Sequence, residues 1–468
     1  MMDPRRIFIL HFLPLALAAL PTIHYIDEPS RNPLCDLGCK CPEQEQNLEF
    51  LDCTRRGMSK LPDFLQFDAP LSSINFQNNH ISSIAMRTFA RGDSIEELDL
   101  SLNNISKIEN FTFAAFRNLV KLRLSHNYLS EVAPGLLDGL SNLRVLEIGH
   151  NLIQRLNYTA FRATPELQEL RLQYNPLFNL PEKLFQFLPM LERLDLQDTG
   201  LVRLPSEIFN PTPYLMWLSL SSNAFENVPE EALSRAILLE SLDLSGNDFT
   251  SLDRGNFRHL TKVSLLYLNN LPRLRRIEKD ALVGMLSLKT FSCSYNPNLE
   301  YVDADAFGSE NSTISRVKTT PHDKLYLRQN ALRTLQSPLK MESWSSLSFV
   351  DLADNPWKCD CKLLWMKQLR IETQMNIVCD SPLHLRGRPL STVDITDLKC
   401  QDRWALTAFI LSISAMAVFG LIILTASSIV CSRTRLGLYV RAKKQFSYAK
   451  VTPKIETVDL EWDPSADI

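Results

Sequence analysis

Ten cysteines are the residues of this chain whose types and spacing could do chemistry. Cys35, Cys39, Cys41 and Cys53 form a C-x3-C-x-C-x11-C cluster, and Cys359, Cys361, Cys379 and Cys400 form a second one. Two chemistries suit four thiols at such spacings, a structural zinc site or a pair of disulfides, and the redox compartment decides between them. The first twenty residues bear on that choice. Arg5 and Arg6 precede an apolar run from Ile7 to Leu20, with Ala16 and Ala18 at a small-residue cleavage position. Residues 1–20 read as a secretory signal peptide, the rival being an uncleaved anchor that so short a run spans poorly. Secretion means an oxidising environment, so disulfides are expected rather than zinc. Spacing leaves the pairing open, because four cysteines allow three connectivities.

A second chemistry is glycosylation. Asn104, Asn110, Asn157 and Asn311 each begin an N-x-S/T acceptor without an intervening proline. Catalysis is not indicated: there is no phosphate loop or nucleophile elbow, and carboxylates are scattered through every polar column. His126 and His150 sit at equivalent positions, but Ser-His-Asn and Gly-His-Asn suit the solvent-facing end of a strand better than a metal pair. No cofactor is expected. A net charge of −3 with 22% charged residues gives no reason to expect a nucleic-acid partner.

What must position these residues is a repeat. From Leu71 the pattern LxxLxLxxN recurs, first as Leu71, Ile74, Phe76 and Asn79, then as Ile95, Leu98, Leu100 and Asn103. The last position returns every 24 residues at Asn127, Asn151, Asn175, Thr199, Asn223, Asn247 and Leu271. Asn296, Asn330 and Asn355 continue it at looser spacing, which makes twelve units. A strand alternates faces, so each LxL pair points inward and its neighbours outward. One unit cannot bury its own apolar side, so copies must stack around a shared core. The asparagine amide both donates and accepts, and can satisfy buried backbone groups of neighbouring turns. Thr199 can replace one such bond and Leu271 none, so an irregularity is expected near Leu271, with Asn269 or Asn270 as compensators. Phe89, Phe113, Phe161, Phe185, Phe209 and Phe257 recur ten residues after the ladder position and are expected to stack on the opposite side.

The unit resembles the leucine-rich repeat, over nearly all of residues 35–400. The resemblance implies an α/β solenoid, a curved horseshoe with a parallel concave sheet, spanning residues 71–355. Residues 35–65 resemble the N-terminal cysteine cap of extracellular members. Residues 356–400, with Asn355-Pro356-Trp357 and Leu364-Trp365, resemble the C-terminal one. It also implies the pairings Cys35–Cys41, Cys39–Cys53, Cys359–Cys379 and Cys361–Cys400. Cys293 replaces an inward leucine and is expected to be a buried, inert thiol.

Residues 404–431 carry no charge and suffice for a transmembrane helix, the alternative being a buried helix of a soluble domain. Arg433, Arg435, Arg441, Lys443 and Lys444 follow, so the expected topology is single-pass type I in the plasma membrane, with the ectodomain outside and residues 432–468 as a cytoplasmic tail. Cys431 at the membrane edge is either acylated or simply part of the span. Tyr448 and Val451 form a candidate tyrosine-based sorting motif, and Ala466-Asp467-Ile468 a candidate site for a cytoplasmic adaptor. Gly308–Pro321 is an insertion, equally a functional loop or a bulge in a degenerate repeat.

On the outward strand positions, Arg123, Glu147, Arg171 and Asp195 alternate in sign, as a self-paired ladder or as ligand contacts. Tyr174, Trp217, Tyr267, Tyr295 and Tyr326 are candidate ligand contacts, because exposed aromatics concentrate binding energy at protein interfaces. The expected function is a cell-surface receptor or an adhesion or co-receptor protein, similar to the synaptic, axon-guidance and trophoblast-glycoprotein types. Its partner would be an extracellular or same-membrane protein bound on the concave face. An auxiliary subunit of a membrane channel or receptor complex is the alternative.

Overall fold

The computed structural model describes residues 33–41, 49–67, 71–303, 305–306, 324–337, 347–368, 376–399 and 403–445. The signal segment 1–20, the insertion with Asn311, Cys400, and the tail motif Tyr448 and Val451 lie outside the described residues.

Thirteen short parallel strands form one sheet in sequence order. They are β1 Phe50–Asp52, β2 Ser73–Asn75, β3 Glu97–Asp99, β4 Lys121–Arg123, β5 Val145–Glu147, β6 Glu169–Arg171, β7 Arg193–Asp195, β8 Trp217–Ser219, β9 Ser241–Asp243, β10 Leu265–Tyr267, β11 Thr290–Ser292, β12 Lys324–Tyr326 and β13 Phe349–Asp351. The repeat thus makes a leucine-rich-repeat solenoid whose twelve units supply β2–β13. The N-terminal cap supplies β1, paired to β2 through Leu51 and Ile74. Register follows the repeat, for example Leu146 opposite Leu170 and Leu170 opposite Leu194.

Two inward rows build the core. The middle strand residues, Leu98, Leu122, Leu146, Leu170 and their successors, are fully buried, as are Leu100, Leu124, Ile148 and Leu172 two positions on. Each such side chain contributes about 1.5–3 kcal/mol from water exclusion. Behind them the phenylalanines form the expected stack, with Phe89 to Phe113 at 6.2 Å and Phe185 to Phe209 at 6.4 Å between ring centroids. Leu137 and Leu233 fill the same row where phenylalanine is absent, also buried.

The asparagine ladder has one repeated geometry. Asn151 donates to the carbonyls of Ile148 and Leu124, both at 3.0 Å, and its amide oxygen accepts the Leu129 N–H at 3.0 Å. Three backbone groups on two turns are satisfied by one side chain that is only 4% exposed. Thr199 keeps a single rung, its hydroxyl donating to Leu196 at 2.9 Å. At Leu271 the rung is missing, yet the backbone does not register it: β10 pairs in step with both neighbours, and Asn270 has the left-handed φ (54°) common to this position. The expected irregularity is therefore confined to hydrogen bonding. Asn269 does bond across turns, accepting from the Ser294 N–H and the Ser292 hydroxyl at 2.8 Å each, but on the sheet face and not at the vacant rung.

Both ends are closed by cysteine segments. Bonds join Cys35 to Cys41, Cys39 to Cys53, and Cys359 to Cys379. Cys361 is also disulfide-bonded. The buried Trp357 donates to Leu352 at 2.9 Å, and Trp365 to Leu335 at 3.1 Å, so both indoles seal the last turns without an orphaned N–H. Cys293 is fully buried as a free thiol, and that burial pushes its pKa far above the usual thiol range.

Residues 399–468 form a separate unit, described over a single helix, Arg403–Gln445. Within it, Phe409–Thr434 is long and apolar enough to cross a membrane. Its hydroxyls are satisfied inside the helix, Ser412 donating to Phe409 and Thr425 to Ile422, as an apolar medium requires. The helix continues past Cys431 through the basic residues to Gln445.

Candidate functional site

Solvent-facing residues of the sheet lie at the first and third position of each strand and two residues later. Every turn then reaches a left-handed residue just before the ladder position: His126 (58°), His150 (53°), Tyr174 (56°) and Tyr295 (62°) among them. This backbone costs a non-glycine residue about 1–2 kcal/mol and turns its side chain outward at the strand end. The face divides into two regions.

The first region, β3 to β7, is charged and largely self-paired. Arg123 lies 3.4 Å from Glu97, 3.8 Å from Asp99 and 3.7 Å from Glu147, while Lys121 reaches Glu147 at 3.3 Å. Arg171 binds Glu169 of its own strand at 2.5 Å instead of crossing to Asp195. The alternating ladder thus exists from Asp99 to Glu147 and breaks at Arg171. Gly149 sits beneath Gln173, whose amide would lie 2.6 Å from a Cβ there. Beside this lattice His126 stacks on His150 at 4.0 Å and His150 on Tyr174 at 4.2 Å. The Tyr174 hydroxyl accepts from Gln197 at 3.0 Å. Burial and then the neighbouring His126 hold His150 below the usual histidine range, with Asp198 opposing. The 24-residue spacing of 126, 150 and 174 is the sequence signal for this stack.

The second region, β8 to β11, has no cation at these strand positions. Trp217 is partly buried, with the Arg193 guanidinium 4.9 Å over its ring. Tyr267 stands partly buried two strands further on, in register with Asp243 on one side and Ser292 on the other. Tyr326 lies on β12 against Phe349 at 5.1 Å. The five candidate aromatics are therefore not one cluster. Trp217 occupies a first strand position, Tyr267 and Tyr326 third positions, and Tyr174 and Tyr295 the strand-end column.

A depression between the regions is lined by Glu169, Leu170, Arg171, Arg193, Asp195 and Trp217. Asp195 accepts the Gln197 N–H at 3.0 Å, and burial raises its carboxyl above the usual range, with that hydrogen bond and Arg171 opposing and Asp243 and Glu169 adding to the effect. Among the described residues no group of histidines, cysteines and carboxylates could hold a metal ion. Asn104, Asn110 and Asn157 are all exposed, and the Asn157 oxygen accepts from Thr159 of its own acceptor motif at 2.9 Å.

The leucine rich repeat family profile matches residues 69–129, 117–177, 189–249, 213–271 and 237–297. Trophoblast glycoprotein of Mus musculus is 30% identical over 112 residues, 22% of this chain and 26% of that protein. Leucine-rich repeat and fibronectin type III domain-containing protein 1 of Danio rerio is 26% identical over 134 residues, 27% of this chain and 22% of that protein. The chain therefore spans about a quarter of the length of these relatives. Among solved structures, the glycosylated Toll–Spatzle complex of Drosophila aligns with a TM-score of 0.53 and 22% identity, over 70% of this chain and 48% of that one. At that identity the likeness concerns the fold alone.

Proposed function

We propose that this chain, built as a leucine-rich-repeat solenoid, is a non-catalytic cell-surface receptor or adhesion protein that recognises a protein partner on the exposed face of its sheet. The observation that carries the reading is the set of partly buried aromatic side chains, Trp217, Tyr267 and Tyr326, held outward on rigid strands. Rigid aromatics give large contact area at low entropic cost, and hydroxyl residues around them supply adaptable hydrogen bonds. The core does not need them there. In this reading residues 1–20 are removed on secretion, Cys361 pairs with Cys400, and Asn104, Asn110 and Asn157 carry glycans, as does Asn311. Phe409–Thr434 tethers the solenoid to the plasma membrane with the C-terminus in the cytoplasm, where Cys431 is an acylation candidate.

Proximity labelling on living cells tests the proposal, comparing the natural chain with W217A/Y267A/Y326A at equal surface level. Loss of labelled partners in the triple variant is expected; an unchanged set would remove the sheet face from the account. The auxiliary-subunit reading is kept because a helix with five cations within twelve residues of Arg433 is itself suited to lateral contacts in a membrane complex. Exchanging residues 403–468 for an unrelated anchor separates the two: a receptor keeps its labelled partners and an auxiliary subunit loses them.

A further inference from the structure

The border between the two face regions carries an imbalance. Asp195 on β7 and Asp243 on β9 occupy the same strand position with Ser219 of β8 between them, about 10 Å apart along the sheet at ~4.8 Å per strand. Each accepts one backbone N–H, from Gln197 at 3.0 Å and Ser245 at 2.9 Å, and among the described residues neither is in an ion pair. The nearby cations are committed elsewhere, Arg171 to Glu169 and Arg193 to the Trp217 ring. Two carboxylates that repel each other are thus held beside an indole and, one strand beyond Asp243, the Tyr267 phenol. A partly desolvated carboxylate outside any close ion pair, with Arg171 acting on Asp195 only from its contact with Glu169, is a standing cost that an incoming cation lowers, and aromatic faces attract the same groups. The surface is also open: no N-x-S/T acceptor occurs between Asn157 and Asn311.

We propose that this border docks a protein segment presenting a lysine or arginine side chain between Trp217 and Tyr267, with Asp195 and Asp243 as the acceptors of its charge. The proposal rests on the reading of the sheet face as a recognition surface and adds the chemistry of the partner. An acidic segment drawn by Arg193 is the opposite outcome.

The test uses the full chain in lipid nanodiscs, panned with a phage-displayed library of random peptides against empty discs. Enriched peptides are expected to carry a central basic residue. Their affinity should fall at least tenfold in D195N/D243N, as for loss of a close interfacial charge pair, and in high salt. Asparagine keeps an oxygen for the Gln197 and Ser245 N–H groups, so the variant retains the fold, which circular dichroism verifies. Peptides that need Trp217 but bind D195N/D243N undiminished overturn the cationic partner and leave the surface reading intact. So do enriched acidic peptides abolished by R193A. Peptides indifferent to both W217A and D195N/D243N, or no enrichment over empty discs, overturn the two together.

Discussion

The two regions of the sheet face share one core and differ in what they do with their outward positions. From β3 to β7 long charged side chains satisfy one another, Arg123 alone meeting three carboxylates. From β8 to β11 the outward residues are mostly hydroxyls and aromatics, joined by Leu265 and Asn269, with Asp243 in no ion pair among the described residues. A self-paired lattice presents little unmet demand to a partner, and each of its ion pairs is worth about 0–1 kcal/mol to stability. The unmet demand lies at the border, with Asp195 of β7 and Asp243 of β9. The contrast implies that equal scaffolding can carry unequal binding capacity, decided wholly by residues that fold does not require.

If the scaffold is equal, damage to it must cost the same under both regions. Leu146→Ala under the charged lattice and Leu242→Ala under the neutral one should each lose about 2–5 kcal/mol, because both leave a cavity in a fully buried row. Chemical denaturation that finds one nearly neutral would break the comparison at its base.

Next in size is the ladder. Asn151→Leu should cost about 1–3 kcal/mol by orphaning buried carbonyls and the Leu129 N–H. The native Leu271 marks where the chain already tolerates that loss. Thermal melting that shows no change would mean the ladder is ornamental in the charged half too.

The smallest effect sharpens the contrast through pH. His150 titrates below its ordinary value in the folded state, so the unfolded chain binds the proton first as pH falls. Stability is full above about pH 6.5, the ordinary histidine value, and declines as pH drops through the window between that value and the depressed one. Only the charged region has histidines at its strand ends. Hydrogen exchange should therefore quicken around residues 126–150 before it does around β8–β11, and His150→Asn should abolish the difference. Simultaneous quickening in both regions would contradict it.

Most of the fold was legible in the residues. The positions 122, 146, 170, 194, 218 and 242 are all leucine, and a period of 24 requires them to lie in one column. Thr199 and Leu271 announced a weakened and a missing rung, and both are found. The site was less legible. Tyr174, Trp217, Tyr267, Tyr295 and Tyr326 share exposure but occupy three columns, which a search for outward aromatics does not separate. Arg171 and Asp195 alternate in sign on adjacent strands, yet the close ion pair of Arg171 is with its own strand neighbour Glu169.

Sequence by itself determined the turn count, the two buried rows, the ladder and the cysteine-closed ends, because burial is written in residue type and a repeat writes it once per turn. Tertiary structure alone decided which cation meets which carboxylate, that two histidines and a tyrosine form one stack, and that Asp195 and Asp243 are left over. Long exposed side chains have many rotamers and several partners within reach, so their choice depends on distances between turns that no residue type encodes.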